Sequence, residues 1–345
     1  MAGIKDVAAR AGVSISTVSR VFNGHENITD EKRKAVLEAA SALGYSANSL
    51  AASLRRKSSN VVGVLLASQG SPFGTMLHTA IGNTLSDRGY LPMVCSTLGE
   101  DDRQDEYVKT LLEMQVGGVI IRPSGSLSIT TRHAAVLERE GVPVVFVESA
   151  PRKKSVSFVV SANKVGGQLA IRRLWELGHR NIGIMIMPCD VKYHPNRPVS
   201  HRLEGALETA LELGIADRIV LSPDMPGERF DYGYMAAKRM LREHPELTAV
   251  FAMTDMMGTG ALYAARETGL SVPEDISVLG YDGLPLSEMT FPPMATVSQS
   301  VDLMGQSAAD LLITRLEGNE TKPAQRTLNP HLIERESLAP APWTT

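Results

Sequence analysis

The joint between two short helix-forming stretches constrains this chain's N-terminal fold more than any other feature. Residues 4–11, Ile4-Lys-Asp-Val-Ala-Ala-Arg-Ala11, are helix formers, and Gly12 stands where a C-terminal cap belongs. Ser14 is placed to cap a second helix running from Ile15 to about Asn23. The connection Ala11-Gly12-Val13-Ser14 is too short for anything but a sharp turn, which is the spacing of a helix-turn-helix. Thr29 is expected to cap a third helix, with Asp30 and Glu31 favourably placed in its first turn. Val36, Ala40 and Leu43 recur at helical spacing until Gly44. Val7, Ala8, Val18, Val21 and Val36 can then form a small core, leaving Ile15, Ser16, Thr17, Ser19 and Arg20 on the outside of the second helix. Such a face suits a major groove. Thr17 and Ser19 can donate to phosphate oxygens, the planar fork of Arg20 can address guanine, and Ile15 can touch a thymine methyl. A solvated helix in an unrelated helical domain is the competing reading.

Charge supports the groove. Residues 1–60 carry nine Lys/Arg against five Asp/Glu, a net of +4, in a chain whose formal charge is −3 overall. A basic head on an acidic body points to a polyanion met by the head alone. The full 345 residues exceed one ordinary core, so two or three domains are expected. With 43% hydrophobic and 21% charged residues the composition is globular rather than disordered. No apolar run approaches the roughly 18 residues of a membrane span, and Met1-Ala-Gly-Ile-Lys-Asp6 lacks the apolar stretch of a signal peptide. The expected location is cytoplasmic, with no membrane partner. Cys95 and Cys189 lie in apolar, strand-like runs and are expected as buried thiols.

From Val61 onward apolar runs alternate with helical stretches. Candidate buried strands are Val61–Leu66, Leu91–Cys95, Gly118–Ile121 and Val142–Val147, with helices over 74–88, 102–115 and 130–140. The pattern repeats with strands near 182–187, 218–222, 248–253 and 276–281. Alternation of this kind predicts parallel sheets covered by helices on both faces, and two such sets predict two lobes. Ligands bind such sheets at the C-terminal ends of their strands, so the cleft between lobes is the natural site.

Ile4-Lys-Asp-Val-Ala-Ala-Arg-Ala-Gly-Val-Ser-Ile-Ser-Thr-Val-Ser-Arg-Val-Phe-Asn23 resembles the head of the lac repressor (LacI/GalR) family, whose pattern D-V-A-x-x-A-G-V-S-x-x-T-V-S-R-V-x-N it matches almost completely. Phe22 stands where Leu is common. The resemblance implies that Ile15 and Ser16 choose the operator and that Asn23 joins the DNA-binding set. Tyr45-Ser-Ala-Asn-Ser-Leu-Ala-Ala-Ser-Leu54 is similar to the family's hinge helix, Y-x-P-N-x-x-A-x-x-L, with Ala47 in place of the usual Pro and Ala52 where Arg is frequent. Leu50 and Leu54 share one face, and Leu54 takes the position of the leucine that the family wedges into the minor groove. A helix of about ten residues is marginal alone; a plain linker is the alternative.

The body is covered too. Leu177-Gly-His-Arg-Asn-Ile-Gly183 matches L-G-H-x-x-I-x, Arg202-Leu-Glu-Gly205 matches R-x-x-G, and Val272-Pro-Glu-Asp-Ile-Ser-Val-Leu-Gly-Tyr-Asp282 matches V-P-x-D-I-S-V-x-G-Y-D. The fold implied is an all-α helix-turn-helix head on an α/β body like the periplasmic binding proteins, with two doubly wound parallel-sheet lobes and three crossings between them. The expected divisions are 1–46 for the head, 47–60 for the hinge and 61–345 for the effector-binding and dimerisation body. Within the body, about 61–161 and 290–324 form the first lobe, and about 162–289 and 325–345 the second.

Residue by residue, the resemblance implies an effector site. Arg202 is the family's effector-binding arginine, able to bridge two sugar hydroxyls or a carboxylate. Asp282, closing its strand, can accept from two hydroxyls. Thr254 matches a contact position, while Asp255 beside it is as well suited to capping a helix. Phe73 and Phe230 are candidates to stack on a ring, or to be core. Gln299 and Asn163 match cleft positions, Asn163 with Ala162 in place of the family's acid.

The chain contains no G-x-S-x-G, no Walker loop and no G-x-G-x-x-G after a strand, and its cysteines lack metal spacing, so neither enzyme, metal nor cofactor is expected. The tail Ala339-Pro-Ala-Pro-Trp-Thr-Thr345 has no leucine heptads, which predicts a homodimer rather than a tetramer. The reading is a transcription regulator, of repressor type, that binds a near-palindromic operator and answers to a sugar or sugar acid. A transport-type sugar-binding protein and a sugar-modifying enzyme share the scaffold. The head argues against the first, and the lack of a nucleophile or paired acids against the second.

Overall fold

A computed structural model describes residues 3–22, 28–45, 59–66, 71–123, 127–149, 151, 155–186, 197–223, 230–319 and 322–342. Asn23, residues 47–58 of the hinge with Leu50 and Leu54, and Cys189 lie outside the described residues.

The head is a unit of its own, with three helices among its described residues: α1 (Ile4–Ala11), α2 (Ile15–Phe22) and α3 (Asp30–Ala42). Gly12 takes a left-handed φ of 65°, which lets the chain reverse and the Val13 N–H donate to the Ala8 carbonyl at 3.1 Å. The Ser14 hydroxyl accepts from the Thr17 N–H at 3.1 Å, as expected of the cap. Thr29 does hold the N-cap position of α3, but its side chain makes no capping bond, so that helix start rests on the acids of its first turn. Val7, Val18 and Val36 are fully buried, joined by Ala8, Val21, Ala39 and Ala40.

The body repeats one topology. Its first half runs β1 (Val61–Leu66), α4 (Pro72–Asp87), β2 (Leu91–Ser96), α5 (Asp101–Glu113), β3 (Gly118–Ile121), α6 (Leu127–Arg139), β4 (Val144–Val147) and β5 (Ser157–Ser161). Its second runs α7 (Asn163–Glu176), β6 (Ile182–Met185), α8 (Pro198–Glu212), β7 (Ile219–Leu221), α9 (Phe230–Glu243), β8 (Ala249–Ala252), α10 (Asp255–Glu267), β9 (Ser277–Asp282) and β10 (Ala295–Ser298). The chain closes with α11 (Val301–Leu316), β11 (Gln325–Leu328) and β12 (His331–Ile333). The strand orders are β11-β5-β4-β3-β1-β2 and β12-β10-β9-β8-β6-β7, so order reverses beside β1 in one sheet and beside β6 in the other. The central strands read as unbroken apolar runs because both faces are covered. Helices α4 and α11 pack one face of the first sheet around Leu77, Ile81, Met304 and Leu312. In the second sheet α7 and α8 cover one face, α9 and α10 the other.

Five expectations need correction. β4 starts at Val144 rather than Val142, because Pro143 has no N–H to give a ladder. β10 pairs with β9, so residues 295–298 belong to the second lobe, although 290–324 was assigned to the first. Conversely β11 pairs with β5 in the first sheet, although 325–345 was assigned to the second. The closing strand β12 is antiparallel to β10, so the second sheet is not wholly parallel. The chain thus crosses between sheets after β5, after β10 and between β11 and β12. Cys95 is a free thiol only half buried, since β2 is an edge strand.

Candidate functional site

On the head, Ile15 is 44% exposed at the start of α2, and Ser16 and Arg20 are exposed with it. Thr17 and Ser19 are half-buried. The Ser14 hydroxyl lies 2.7 Å from that of Ser16 and 2.9 Å from that of Thr17, a small hydroxyl cluster at the helix N-terminus. This end suits phosphate, since the unpaired N–H groups of a first turn attract anions.

In the body, the site is assembled by close helix packing. A Cβ at Gly167 would lie 2.0 Å from the Arg202 carbonyl oxygen, and one at Gly205 2.0 Å from that of Lys164. Only glycine lets α7 and α8 approach so nearly. That approach brings Asn163, first in α7, against Arg202 in α8. The Arg202 Nε donates to Asn163 Oδ1 at 2.7 Å and its Nη1 to the Met253 carbonyl at 2.6 Å. The same Nη1 stands 3.4 Å from Asp282 Oδ1, and the guanidinium lies 3.9 Å from the centre of the Tyr281 ring. Gln299 Nε2 donates to Asp282 Oδ1 at 2.7 Å. Arg202, Asp282, Asn163 and Gln299 are all buried. Burial pushes the Asp282 carboxyl up to about 6, against the pull of Arg202, and the Tyr281 hydroxyl up to about 12.

Four expected residues thus come together. Phe73 joins them only partly: its ring belongs to the core under α4 and carries the Arg122 guanidinium at 5.3 Å from its centre. Thr254 caps α10, accepting from the Met257 N–H at 3.2 Å. Asp255 neither caps nor faces open space. It is fully buried, with Oδ1 accepting from the Thr296 hydroxyl at 2.6 Å and Oδ2 from the Leu284 N–H at 2.7 Å. It ties the turn after β9 to β10, and so supports Asp282 from behind. Phe230 is engaged elsewhere, its ring meeting Tyr263 edge-on at 5.6 Å.

Arg122 and Glu148 are absent from the expected set. Arg122 follows β3 and Glu148 follows β4, at the C-terminal strand ends of the first sheet, and they form an ion pair. Burial opposes the charge of Arg122, but Glu148 and Asp282 together outweigh it and hold the guanidinium above its ordinary range. Both act electrostatically on Asp282 of the second sheet. A signal for them exists: each is the first charged residue after an unbroken apolar strand.

Residues 3–48 match the family described as bacterial regulatory proteins, lacI family, and residues 171–338 match the periplasmic binding protein-like domain. The HTH-type transcriptional regulator MalR of Streptomyces coelicolor is 33% identical over 345 residues, covering 98% of this chain and 97% of its own. The chain belongs to the lacI family of bacterial regulatory proteins. Among solved structures it is similar to the lac repressor dimer bound to operator and the anti-inducer ONPF, at 27% identity and TM-score 0.86, with 98% of this chain and 99% of the other covered. The transcriptional regulator CelR–cellobiose complex is 30% identical with TM-score 0.68, over 98% and 100%. As a lacI-family member the chain is a DNA-binding transcription regulator with an effector-binding body. Among the described residues no helix is long and apolar enough to cross a membrane, and no three His, Cys, Asp or Glu could hold a metal ion.

Proposed function

We propose that this regulator is a repressor that binds a near-palindromic operator as a homodimer and is controlled by a sugar or sugar acid held between its two lobes. One observation carries the effector half: a buried arginine fork, Arg202, shares a carboxylate, Asp282, at the strand ends of the second sheet. A planar cation beside a carboxylate offers donors and acceptors at the spacing of adjacent hydroxyls. The effector set is Arg202, Asp282, Asn163 and Gln299, with Phe73 and Arg122 from the first sheet. The operator set is Ile15, Ser16, Thr17, Ser19 and Arg20, with Asn23 and the Leu54 wedge. The cellobiose of the CelR complex and the operator of the lac repressor complex support this reading. Residues 1–46 act as the head, 47–60 as the hinge and the remainder as the body, in the cytoplasm and without catalysis.

The test is operator binding by the full chain, read by fluorescence anisotropy, against a panel of sugars, sugar acids and nucleobases. One class should shift operator affinity in the parent. Arg202→Ala, with Asp282→Asn as the milder second variant, should keep operator binding and lose that response. If the response survives in both variants, the pocket lies elsewhere.

A further inference from the structure

Among the described residues, two arginines are held at the C-terminal strand ends of the two sheets, each against its own acid. Arg202 has Asp282, and Arg122 has Glu148, whose side chains are 15% and 13% exposed. Both acids sit on unusual backbone: Glu148 has φ 68° and Asp282 φ 127°, in the half of conformational space that favours glycine. Such strain is unfavourable for a non-glycine residue and persists where the surroundings demand it, as at active sites, ligand clamps and switches. Two such positions at strand ends, one in each sheet, are thus given to carboxylates.

We propose that Glu148 makes the cleft a charge filter: by neutralising Arg122 before a ligand arrives, it selects an uncharged polyol and turns away the corresponding acid. This rests on the effector reading above and narrows it to a neutral sugar. An incoming carboxylate or phosphate needs an uncommitted cation, and must either expel a carboxylate from its arginine or lie against one. Like charges brought together in a desolvated site are costly. A hydroxyl has no such conflict, since it donates to the spare lone pairs of Asp282 and Glu148 and accepts from guanidinium N–H groups.

A second observation agrees. Gln299 is fully buried and turns its NH₂ to Asp282, which fixes its amide oxygen on the other side. That Oε1 has no hydrogen-bond partner among the described residues. A buried acceptor left over beside Asp282 calls for a donor. A sugar hydroxyl is one, and an ionised carboxylate is not.

The experiment is isothermal titration of the full chain with neutral aldopentoses, aldohexoses and disaccharides, each beside its aldonic and uronic acid. The parent should bind its best neutral sugar about tenfold or more tightly than the matching acids. Glu148→Gln, which adds one net positive charge, should shrink or reverse that ratio. Arg122→Gln should widen it. Arg122→Gln/Glu148→Gln restores neutrality and should return it toward the parent's value, and Glu148→Asp should preserve it. A merely structural ion pair would instead weaken neutral and acidic ligands alike, so an unchanged ratio in both single variants overturns the filter. Tighter binding of an acid by the parent, dependent on Arg202, overturns the filter and leaves the effector cleft standing. Binding of neither sugars nor acids removes both. Melting curves confirm that each variant is folded.

Discussion

The Nη1 of Arg202 lies 3.4 Å from Oδ1 of Asp282, and neither side chain is more than 7% exposed. A buried pair of this kind contributes little net stability, yet removing one member leaves an unmatched charge in a poor solvent for it. Arg202→Met should therefore cost about 3–5 kcal/mol in thermal or urea unfolding. It also takes the Arg202 donor from the Met253 carbonyl and leaves Asn163 Oδ1 only the longer bond from the Tyr281 hydroxyl, at 3.4 Å. Arg202→Met/Asp282→Asn should cost less than the single effects added together, with a coupling of about 0.5–3 kcal/mol. Strict additivity would show the two charges to be independent.

Gly167→Ala tests the packing that builds the site. Its methyl would meet the Arg202 carbonyl oxygen at 2.0 Å, and backbone cannot step aside as a side chain can. Helices α7 and α8 must separate, at a cost of about 1–3 kcal/mol. Because Asn163 and Arg202 stand on those two helices, effector affinity should fall together with the melting temperature. A variant that melts lower yet binds effector normally would show that the site does not depend on the helix approach.

How far the site was legible follows from these residues. Arg202 and Asp282 were legible because they sit in motifs, R-x-x-G and V-P-x-D-I-S-V-x-G-Y-D, whose neighbours are set by packing, whereas Asn163 and Gln299 rested on single matching positions. Arg122 and Glu148 stand in no motif, and their pairing joins strands that are neighbours only in the folded sheet. Asp255 misled because a carboxylate at a helix start has two uses in general and here has a third, holding Thr296 and Leu284. The lobe boundaries slipped for a related reason. Alternation shows that a strand exists but not which sheet it joins, and β11, Gln325–Leu328, is mostly exposed and reads as loop. The head was read nearly whole, since its contacts are local.

Arg20 is exposed on α2, on the same helix as Ile15 and Ser16. Arg20→Ala should lower affinity for operator by about 1–3 kcal/mol while leaving non-specific DNA binding nearly intact. A titration against salt should still fall steeply for both proteins, since phosphate contacts remain. Equal losses on operator and on random DNA would assign Arg20 to the phosphate backbone instead.

The last prediction concerns Asp255 and pH. Burial, then the nearby Asp282, pushes its carboxyl from the ordinary 3.8 up to about 7. The groups facing it are Asp282 on β9, Thr296 on β10 and the N–H groups of Gly283 and Leu284, and the charges of Arg202, Arg122 and Glu148 act on Asp282 in turn. The folded chain thus holds this proton more tightly than the unfolded chain. Its contribution to stability is complete below about 3.8 and is lost as pH rises through about 7, each unit of raise being worth about 1.4 kcal/mol. Asp282, raised to about 6, acts with the same sign. Asp255→Asn keeps the shape and removes the charge. Its amide oxygen can accept from Leu284, and its NH₂ can donate to a Thr296 hydroxyl whose proton has turned away. The variant should therefore gain on the parent between about pH 5 and about pH 8, by about 2–4 °C in Tm for each kcal/mol recovered. Melting curves at the two pH values decide it. A variant that melts lower than the parent at both, on a parallel curve, would mean that the carboxylate is worth more to this turn as a charge than it costs.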